Sequence, residues 1–242
     1  MRIGVAQTCP RKGNVPYNTA QHTELLALAI SLKTDALFFP ELSLSGYEPT
    51  LAEALAIFPH DTRLDEFQEI SNRYQIVIGL GMPTKSPDGN CISTLLFLPH
   101  LPIQVYSKQY LHPDEAPYFV AGKNPMILKL DRHAIGLAIC YELFVPAHAD
   151  QIFREKATIY VASVAKSAQG MAKAHVVSSD IAQKHAAHVL LSNCTGLNDG
   201  MECSGQSAVW DNKGNLLDQF SGKEEGILVL DLETNEVFKK NL

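Results

Sequence analysis

The sequence predicts a mixed α/β fold in which two packed sheets are covered by helices on their outer faces. Short apolar runs alternate with segments of helical periodicity, and hairpin-like strand pairs recur between them. About a dozen strands are expected, and two packed sheets accommodate that number better than one open sheet. Short strands that begin with apolar runs, such as residues 36–39 and 189–193, suit burial on both faces.

The first half of the chain alternates strand and helix signals. The expected elements are a strand over residues 2–7, a helix from Asn18 or Thr19 to Lys33, a buried strand over 36–39, a helix opened by the capping-box-like segment Thr62–Asp65, and strands near 76–82, 92–98 and 103–107. Two series of apolar residues at helical spacing predict the two helices: Leu25, Leu28, Ala29 and Leu32 for the first, and Leu64, Phe67, Ile70 and Tyr74 for the second. Proline and glycine in Pro83–Asn90 and Pro99–Pro102 indicate loops.

The second half predicts more strands and two longer helices. The expected elements are strands near 126–130 and 134–139, a helix over Pro146–Lys156, a strand over 158–163, a helix over 171–188, and strands near 189–193, 206–210, 216–220 and 227–232. Asp211–Asn215 lies between two apolar runs and indicates a hairpin turn. No strand or helix signal follows Glu233, so residues 233–242 are expected to form a C-terminal tail of a single domain spanning 1–242.

Composition excludes several classes of protein. The 242 residues are 46% hydrophobic and 19% charged, which suits a sizeable core. The net charge of −6 and the scattered Lys and Arg residues argue against a nucleic-acid partner, and no apolar run approaches the roughly 20 residues that span a bilayer. Residues 1–8 are expected to form a strand rather than a signal peptide. The five cysteines lack a C-x-x-C pair, which predicts no disulfide scaffold and a cytoplasmic location.

Three polar residues follow predicted strands and form a candidate catalytic group. Cys140 ends the apolar run 133–139, where the chain resembles the start of a helix whose amides would favour the thiolate. Glu41 and Lys108 occupy matching places after other predicted strands. Alone, each has an ordinary structural explanation, as a core cysteine or a solvated charge. Their joint placement indicates nucleophilic catalysis.

A thiol, a carboxylate and an ammonium together are sufficient for acyl transfer. Glu41 would act as general base and Lys108 would stabilise the oxyanion. The backbone N–H of Tyr141 would be a second oxyanion donor. A Cys–His peptidase, with Cys140 paired to His148 or His185, is the competing hypothesis.

Three segments resemble the signature segments of the nitrilase superfamily of carbon–nitrogen hydrolases. They are Phe39–Tyr47, Ser107–His112 and Gly136–Glu142, in the same order and at similar separations. The opening strand that ends at Gln7 and the stretch Gly205–Gly214 are also similar, so the resemblance covers essentially the whole chain.

This resemblance implies a four-layer α-β-β-α sandwich that assembles as a homodimer or a higher homo-oligomer. It implies a Glu41–Lys108–Cys140 triad that needs no metal or organic cofactor. It also implies a second glutamate, Glu115, which would hold Lys108 and the amide nitrogen of the substrate, with Asp114 as the rival.

The implied reaction is hydrolysis of a small linear amide, an ω-amide or an N-carbamoyl amine, through a Cys140 thioester with release of ammonia. Nitrile hydrolysis and a catalytically silent binding or assembly module are the alternatives. The substrate-binding candidates are Tyr47, His112, Glu142 and Lys166. The apolar run Leu143–Val145 lacks the polar anchor for a carboxylate that many family members have, and Lys166 is a candidate to replace it.

The remaining histidines and cysteines favour structural roles. His185 and His188 extend an apolar helical series, so packed histidines are expected there rather than a metal site. Cys194 and Cys203 flank the segment 198–202 and are expected either at a cavity rim or in the core.

Overall fold

A computed structural model describes residues 1–242 as two large mixed sheets and a small two-stranded sheet. The larger sheet has the order β15-β14-β1-β2-β3-β4-β5, from β1 (Arg2–Gln7), β2 (Ala36–Phe38), β3 (Val77–Ser86), β4 (Gly89–Phe97), β5 (Gln104–Ser107), β14 (Gly226–Asp231) and β15 (Val237–Asn241). The other has the order β13-β12-β9-β8-β7-β6, from β6 (Ile127–Leu130), β7 (His133–Ile139), β8 (Ile159–Val164), β9 (His188–Asn193), β12 (Ala208–Trp210) and β13 (Leu216–Gln219). The small sheet pairs β10 (Thr195–Asn198) with β11 (Met201–Ser204).

Five α-helices complete the fold. They are α1 (Val15–Ser31), α2 (Ala52–Leu55), α3 (Asp65–Tyr74), α4 (Pro146–Arg154) and α5 (Ala168–His185). None of them combines the length and the apolar character that crossing a membrane requires. Helix α1 begins earlier than expected, because Asn14 accepts a hydrogen bond from the Tyr17 amide at 3.2 Å and Pro16 fits the first turn. Helix α5 also begins earlier, capped by Ser167.

Alternation along the strands builds the four layers. In β1, Ile3 and Val5 belong to the core between the sheets, while Ala6 belongs to the core beneath α1 and α3. In β2 the same alternation turns Phe38 inward and Leu37 outward. Helices α4 and α5 pack on the six-stranded sheet. The predicted four-layer α-β-β-α sandwich is therefore confirmed.

Hydrogen bonds join the two sheets near the carboxyl ends of their central strands. Ser163 Oγ donates to the Phe39 carbonyl at 2.7 Å, and Ser192 Oγ donates to the Ala6 carbonyl at 2.6 Å. The Ser207 amide donates to Gln7 Oε1 at 2.9 Å. Because β1 and β2 run parallel to each other, as do β7, β8 and β9, these bonds bring the carboxyl ends of both groups together.

Two segments differ from the sequence expectation. The segment Pro83–Asn90 is mostly hairpin rather than loop, since β3 and β4 stay paired as far as Ser86 and Gly89. The pairing of β2 with β3 ends at Gly79, and beyond it Ile57 bridges to β3 through the Pro83 carbonyl and the Lys85 amide. Proline is tolerated at position 83 because this bridge does not use an amide hydrogen of residue 83.

The expected tail over residues 233–242 is also wrong. Its residues 237–241 form β15, which pairs antiparallel with β14 after a turn at Asn235, where φ is +60°. Lys239 and Lys240 place charge on this edge strand, which protects the edge from association but removes the alternation that marks a strand in sequence.

Candidate active site

Four candidate side chains follow strands whose carboxyl ends meet. Glu41 follows β2, Lys108 follows β5, Cys140 follows β7 and Lys166 follows β8. The loop that carries Glu41 lies directly on β3, and a Cβ at Gly81 would overlap backbone atoms of that loop. The first two residues come from the seven-stranded sheet and the last two from the six-stranded sheet.

The charged side chains form a buried cluster around Lys108. Lys108 Nζ donates to Glu41 Oε1 and to Glu115 Oε1, each at 2.7 Å, and no more than 2% of any of the three residues is exposed. Glu115 also accepts the Tyr47 hydroxyl at 3.0 Å and the His112 amide at 2.8 Å. Burial alone would lower the pKa of Lys108, but the two carboxylates raise it, so the lysine stays charged.

Glu41 keeps one carboxylate oxygen free. Lys108 occupies Oε1, while Oε2 is buried and has no hydrogen-bond partner. Burial raises the pKa of Glu41, and Lys108 opposes that rise. The Cys140 thiol is close enough for each of the two groups to shift the pKa of the other. The free oxygen is thus an available proton acceptor beside the thiol.

The Cys140 thiol is not activated by a helix terminus, contrary to the sequence expectation. Cys140–Phe144 is a 3₁₀ turn, and α4 begins only at Pro146. Cys140 has φ +50°, a left-handed conformation that is unusual for a residue with a side chain. Burial and Glu41 raise the pKa of the thiol to about 11, so it is protonated near neutral pH and needs a base.

A cavity of about 350 Å³ opens beside the thiol. Its walls include most of the candidate residues: Tyr47, His112, Glu115, Cys140, Tyr141 and Lys166. The Tyr141 ring meets the His112 ring edge-on, with centroids 5.4 Å apart. A cavity of this volume suits a small molecule.

Glu142 does not contact the cavity, so the prediction that it binds substrate is wrong. Its buried carboxylate accepts the amides of Gln109 at 2.5 Å and Ile139 at 2.7 Å, and the Tyr106 hydroxyl at 2.7 Å. Burial raises its pKa to about 7. Glu142 therefore links the segment after Lys108 to the segment before Cys140.

The histidines proposed for a Cys–His pair lie elsewhere. His148 is buried among the Tyr106 hydroxyl at 2.9 Å, the Tyr160 hydroxyl at 3.2 Å and Glu142. His185 stacks on Phe153, with ring centroids 4.0 Å apart. Neither is a partner of Cys140, which removes the geometric basis of the peptidase hypothesis. No three His, Cys, Asp or Glu side chains are grouped in a way that could hold a metal ion.

The structure distinguishes Glu115 from its rival. The Asp114 side chain is 88% exposed and lies 3.4 Å from His112 Nδ1, whereas Glu115 is buried against Lys108. The second acidic residue beside Lys108, after Glu41, is therefore Glu115 rather than Asp114.

One wall of the cavity was missed by sequence reasoning. The β10–β11 hairpin contributes Asn198, Asp199 and Met201 to the lining. Asn198 Oδ1 accepts the Tyr47 amide at 3.2 Å, which holds the hairpin to the loop after Glu41. The signal in the sequence was Asp199-Gly200, a hairpin turn in which both residues have positive φ.

Cys194 and Cys203, which flank the segment 198–202, are both fully buried. They belong to a small apolar cluster with Ala165, beneath the hairpin. Their place in the core resolves the alternative that the sequence left open.

Comparisons with known proteins identify relatives of this fold. A family model described as carbon–nitrogen hydrolase matches residues 2–238. The glutamine-dependent NAD(+) synthetase of Aquifex aeolicus is 26% identical over 224 residues, which cover 88% of this chain but 39% of that protein. The (R)-stereoselective amidase of a Pseudomonas species is 23% identical, covering 98% of this chain and 86% of that one.

Solved structures agree on the architecture. The amidase from Nesterenkonia sp. AN1 superposes with a TM-score of 0.86 at 24% identity, covering 96% of this chain and 92% of that chain. A variant of that amidase carries the acetamide moiety of fluoroacetamide covalently bound at its active-site cysteine. The chain thus spans less than half the length of the synthetase and nearly the full length of the amidases.

Proposed function

We propose that this chain, which belongs to the carbon–nitrogen hydrolase family, cleaves a small linear amide with Cys140 as nucleophile. One observation carries the proposal: the Cys140 thiol, which lines the cavity, lies beside the buried Glu41 carboxylate with its free oxygen, and Lys108 joins that carboxylate to Glu115 of the cavity wall. The covalent adduct described for the Nesterenkonia amidase supports it by analogy.

In the first stage, Glu41 Oε2 takes the proton of the Cys140 thiol as sulfur attacks the amide carbon. The carbonyl oxygen becomes an oxyanion, which Lys108 and the Tyr141 N–H stabilise. The C–N bond then breaks, and ammonia or an amine leaves with the proton from Glu41. The product of this stage is a thioester on Cys140.

In the second stage, Glu41 accepts a proton from water, and the hydroxide attacks the thioester carbon. The carboxylic acid leaves and the thiol regains its proton. Glu115 holds Lys108 in both stages and accepts a hydrogen bond from the amide nitrogen of the substrate. Each step uses only side chains, one backbone amide and water.

Burial of the charged cluster supports this assignment. In a site of low dielectric, an ammonium already fixed by two carboxylates stabilises developing charge without reorganisation. The high pKa of the Cys140 thiol is compatible with the mechanism, because the attack itself is coupled to proton transfer to Glu41.

Ammonia release tests the proposal. The panel contains neutral aliphatic amides, ω-amides, glutamine, N-carbamoyl amines and nitriles, with Cys140→Ala as the blank. We expect release from at least one amide that disappears in the variant. Release from nitriles alone would favour the nitrilase alternative. No release, with no alkylation of Cys140 by iodoacetamide, would favour a binding module.

A second copy of the chain is the proposed partner. Val176 on α5 is 61% exposed, and an apolar groove between α4 and α5 is lined by Phe144, Val177 and Ile181. Apolar faces of this kind often form isologous interfaces. Light scattering of the wild-type protein should give twice the chain mass or a higher multiple. The Val176→Lys variant should give a lower mass. A monomeric wild-type protein would contradict the proposal.

A reducing compartment such as the cytoplasm is the proposed location, since all five cysteines are free thiols. A single domain over residues 1–242 likewise stays a prediction. Limited proteolysis that yields two separately stable fragments would contradict the prediction of a single domain.

A further inference from the structure

We propose that Glu142 is a positioning residue, whose buried carboxylate holds Lys108 and Cys140 at a fixed spacing across the two sheets. This inference deepens the proposed amide hydrolysis and rests on it. Glu142 does not line the cavity, so its role is to align the groups that carry out the chemistry.

The strand that precedes Lys108 lies at the edge of its sheet. In the seven-stranded sheet β5 is the last strand, and it pairs only with β4. The hydrogen bonds that join the centres of the two sheets end on Ala6, Gln7 and Phe39, which lie in or next to β1 and β2. These bonds therefore leave the position of Lys108 relative to Cys140 to be fixed by another contact.

Glu142 makes that contact. Its Oε1 accepts the Gln109 amide at 2.5 Å, and its Oε2 accepts the Ile139 amide at 2.7 Å. The first amide belongs to the residue after Lys108, and the second belongs to the residue before Cys140. One side chain thus connects the backbone beside the candidate oxyanion donor to the backbone beside the candidate nucleophile.

The carboxylate group itself is needed for this connection. Every hydrogen bond between residues 104–112 and residues 133–145 ends on Glu142, because Oε1 also accepts the Tyr110 amide at 3.3 Å and Oε2 also accepts the Tyr106 hydroxyl at 2.7 Å. A carboxylate offers about four lone-pair sites and no donor, which matches these four donors. A side-chain amide of the same length would turn its NH₂ group toward a backbone amide of one segment or the other, whichever way it is rotated.

Two further buried groups orient the Tyr106 hydroxyl toward Glu142. His148 Nε2 lies 2.9 Å from the Tyr106 hydroxyl, and His148 Nδ1 lies 3.2 Å from the Tyr160 hydroxyl. Burial lowers the pKa of His148 to about 4, so the ring is neutral. We assign the ring proton to Nε2, because this tautomer donates to Tyr106 and accepts from Tyr160. The Tyr106 proton is then directed at Glu142, and each polar group of this network has a partner.

The first stage of the proposed reaction depends on this alignment. The oxyanion forms on the carbon that the Cys140 sulfur attacks, and the Lys108 ammonium must already lie at that oxygen. A displacement of about 1 Å between groups that act together can cost about a hundredfold in rate. Glu142 therefore supports the transition state without contacting it.

Glu142→Gln tests the inference through the separate effects on kcat and KM. The variant keeps the length of the side chain but has one acceptor oxygen, so kcat for ammonia release should fall about 10- to 100-fold. KM should change less than about threefold, because Glu142 does not line the cavity. Assays at about pH 8.5 keep the wild-type carboxyl ionised, since burial raises the pKa of Glu142 to about 7.

Asp211→Asn is the matched control. Asp211 is a buried carboxylate at the turn between β12 and β13, where it accepts the backbone amides of Lys213 at 2.9 Å and Asn215 at 2.8 Å. The same change from acid to amide should lower the midpoint of urea denaturation there but leave kcat within about twofold of the wild-type value. A fall in kcat for Glu142→Gln no larger than that for Asp211→Asn would overturn the inference, as would a change confined to KM.

Glu142→Asp gives a second readout, which does not require turnover. The variant keeps the charge but shortens the side chain by one methylene, so the carboxylate no longer reaches both segments. Burial and Glu41 raise the pKa of the Cys140 thiol and Lys108 opposes that rise, so the thiolate fraction depends on the spacing of these groups. The rate of Cys140 alkylation by iodoacetamide at about pH 8.5 should therefore change about threefold or more, which corresponds to half a pKa unit.

Mass spectrometry of the peptide that contains Cys140 measures this rate, and Asp211→Asn should leave it unchanged. A wild-type rate in Glu142→Asp would mean that only the charge of Glu142 matters, which would overturn the inference and leave amide hydrolysis standing. If no amide releases ammonia from the wild-type protein, the proposed function fails, and the alkylation rate still decides whether Glu142 fixes the spacing.

Discussion

The two sheets contribute groups of different character to the candidate active site. From the seven-stranded sheet come Glu41 and Lys108, which are buried and paired with each other. From the six-stranded sheet come Cys140, which reaches the cavity, and Lys166, which has no counter-ion. The first side holds charge that is arranged before substrate arrives, and the second presents groups that meet the substrate.

Because of this difference, we expect the seven-stranded side to affect the stability of the fold and the six-stranded side to affect the selection of substrates. A buried charge whose partner is removed costs several kcal/mol, whereas removal of a partly exposed, unpaired charge costs little. Substitutions on the seven-stranded side should therefore reduce both folding and turnover. Substitutions of the cavity-facing lysine on the six-stranded side should change which substrates are used.

The largest effect is expected at Lys108. Lys108→Met leaves Glu41 and Glu115 as uncompensated buried acids, so the free energy of unfolding should fall by about 3–5 kcal/mol and ammonia release should become undetectable. Urea denaturation at pH 7.5 measures the first effect. Lys166→Met is the control and should change the unfolding free energy by less than about 1 kcal/mol. Equal losses in both variants would contradict the division between the sheets.

Glu41→Gln should lower kcat about 10²- to 10⁴-fold, the usual contribution of a general base. In the wild type the acid must be ionised to act, and burial raises its pKa. Activity should therefore fall as pH decreases through a midpoint above the ordinary range of glutamate. A profile of kcat/KM against pH measures this loss of activity on the acidic side. A midpoint at or below the ordinary pKa of glutamate would argue against Glu41 as the base.

A smaller effect is expected behind the Glu41 loop, at His22. Its ring stacks on Phe39, Nδ1 donates to the Asn18 carbonyl at 2.6 Å, and Nε2 accepts the Ser43 hydroxyl at 2.9 Å. Burial lowers the pKa of His22 to about 4, so the neutral ring stabilises the fold above the unfolded pKa of 6.5, and this contribution is lost as pH falls toward 4.

From these two values, His22 should account for about 2 kcal/mol of the stability lost between pH 7.5 and pH 5. Urea denaturation of the wild type and of His22→Gln at both pH values measures it. The variant should show a correspondingly flatter pH dependence. The same slope in both proteins would mean that His22 is not the titrating group.

The smallest effect is expected at Asp114. Its side chain is largely exposed, so Asp114→Asn should change kcat/KM less than about twofold. Glu115→Gln is the matched change one residue away and should cost far more, because it removes a buried partner of Lys108. Similar losses in the two variants would reverse the choice between these acids.

Much of the fold was predictable because strand ends are encoded locally. Glu41 and Cys140 each follow a short apolar run, and Lys108 follows the alternating segment 103–107, so their shared position at strand ends is visible in the sequence. The edge strand β15 was not predictable in this way. Its exposed lysines lack the alternation of a half-buried strand, and its partner β14 decides its conformation.

The parts of the site that were missed depend on distant groups. Glu142 resembles a cavity residue by its place after Cys140, but its partners include the Tyr106 hydroxyl and the Gln109 amide, both more than 30 positions away. The pKa of Cys140 likewise depends on burial and on Glu41, which follows a strand of the other sheet, and no local pattern records either. Local sequence therefore located the candidate nucleophile and the candidate base but not the environment that sets their ionisation.

The central claim is a covalent thioester on Cys140, and mass spectrometry of the acid-quenched enzyme tests it most directly. Wild-type protein mixed with an amide that it hydrolyses should gain the mass of that amide minus ammonia, on the peptide that contains Cys140. Cys140→Ala should gain none and release no ammonia. An acyl group on another residue, or undiminished ammonia release by Cys140→Ala, would contradict the account.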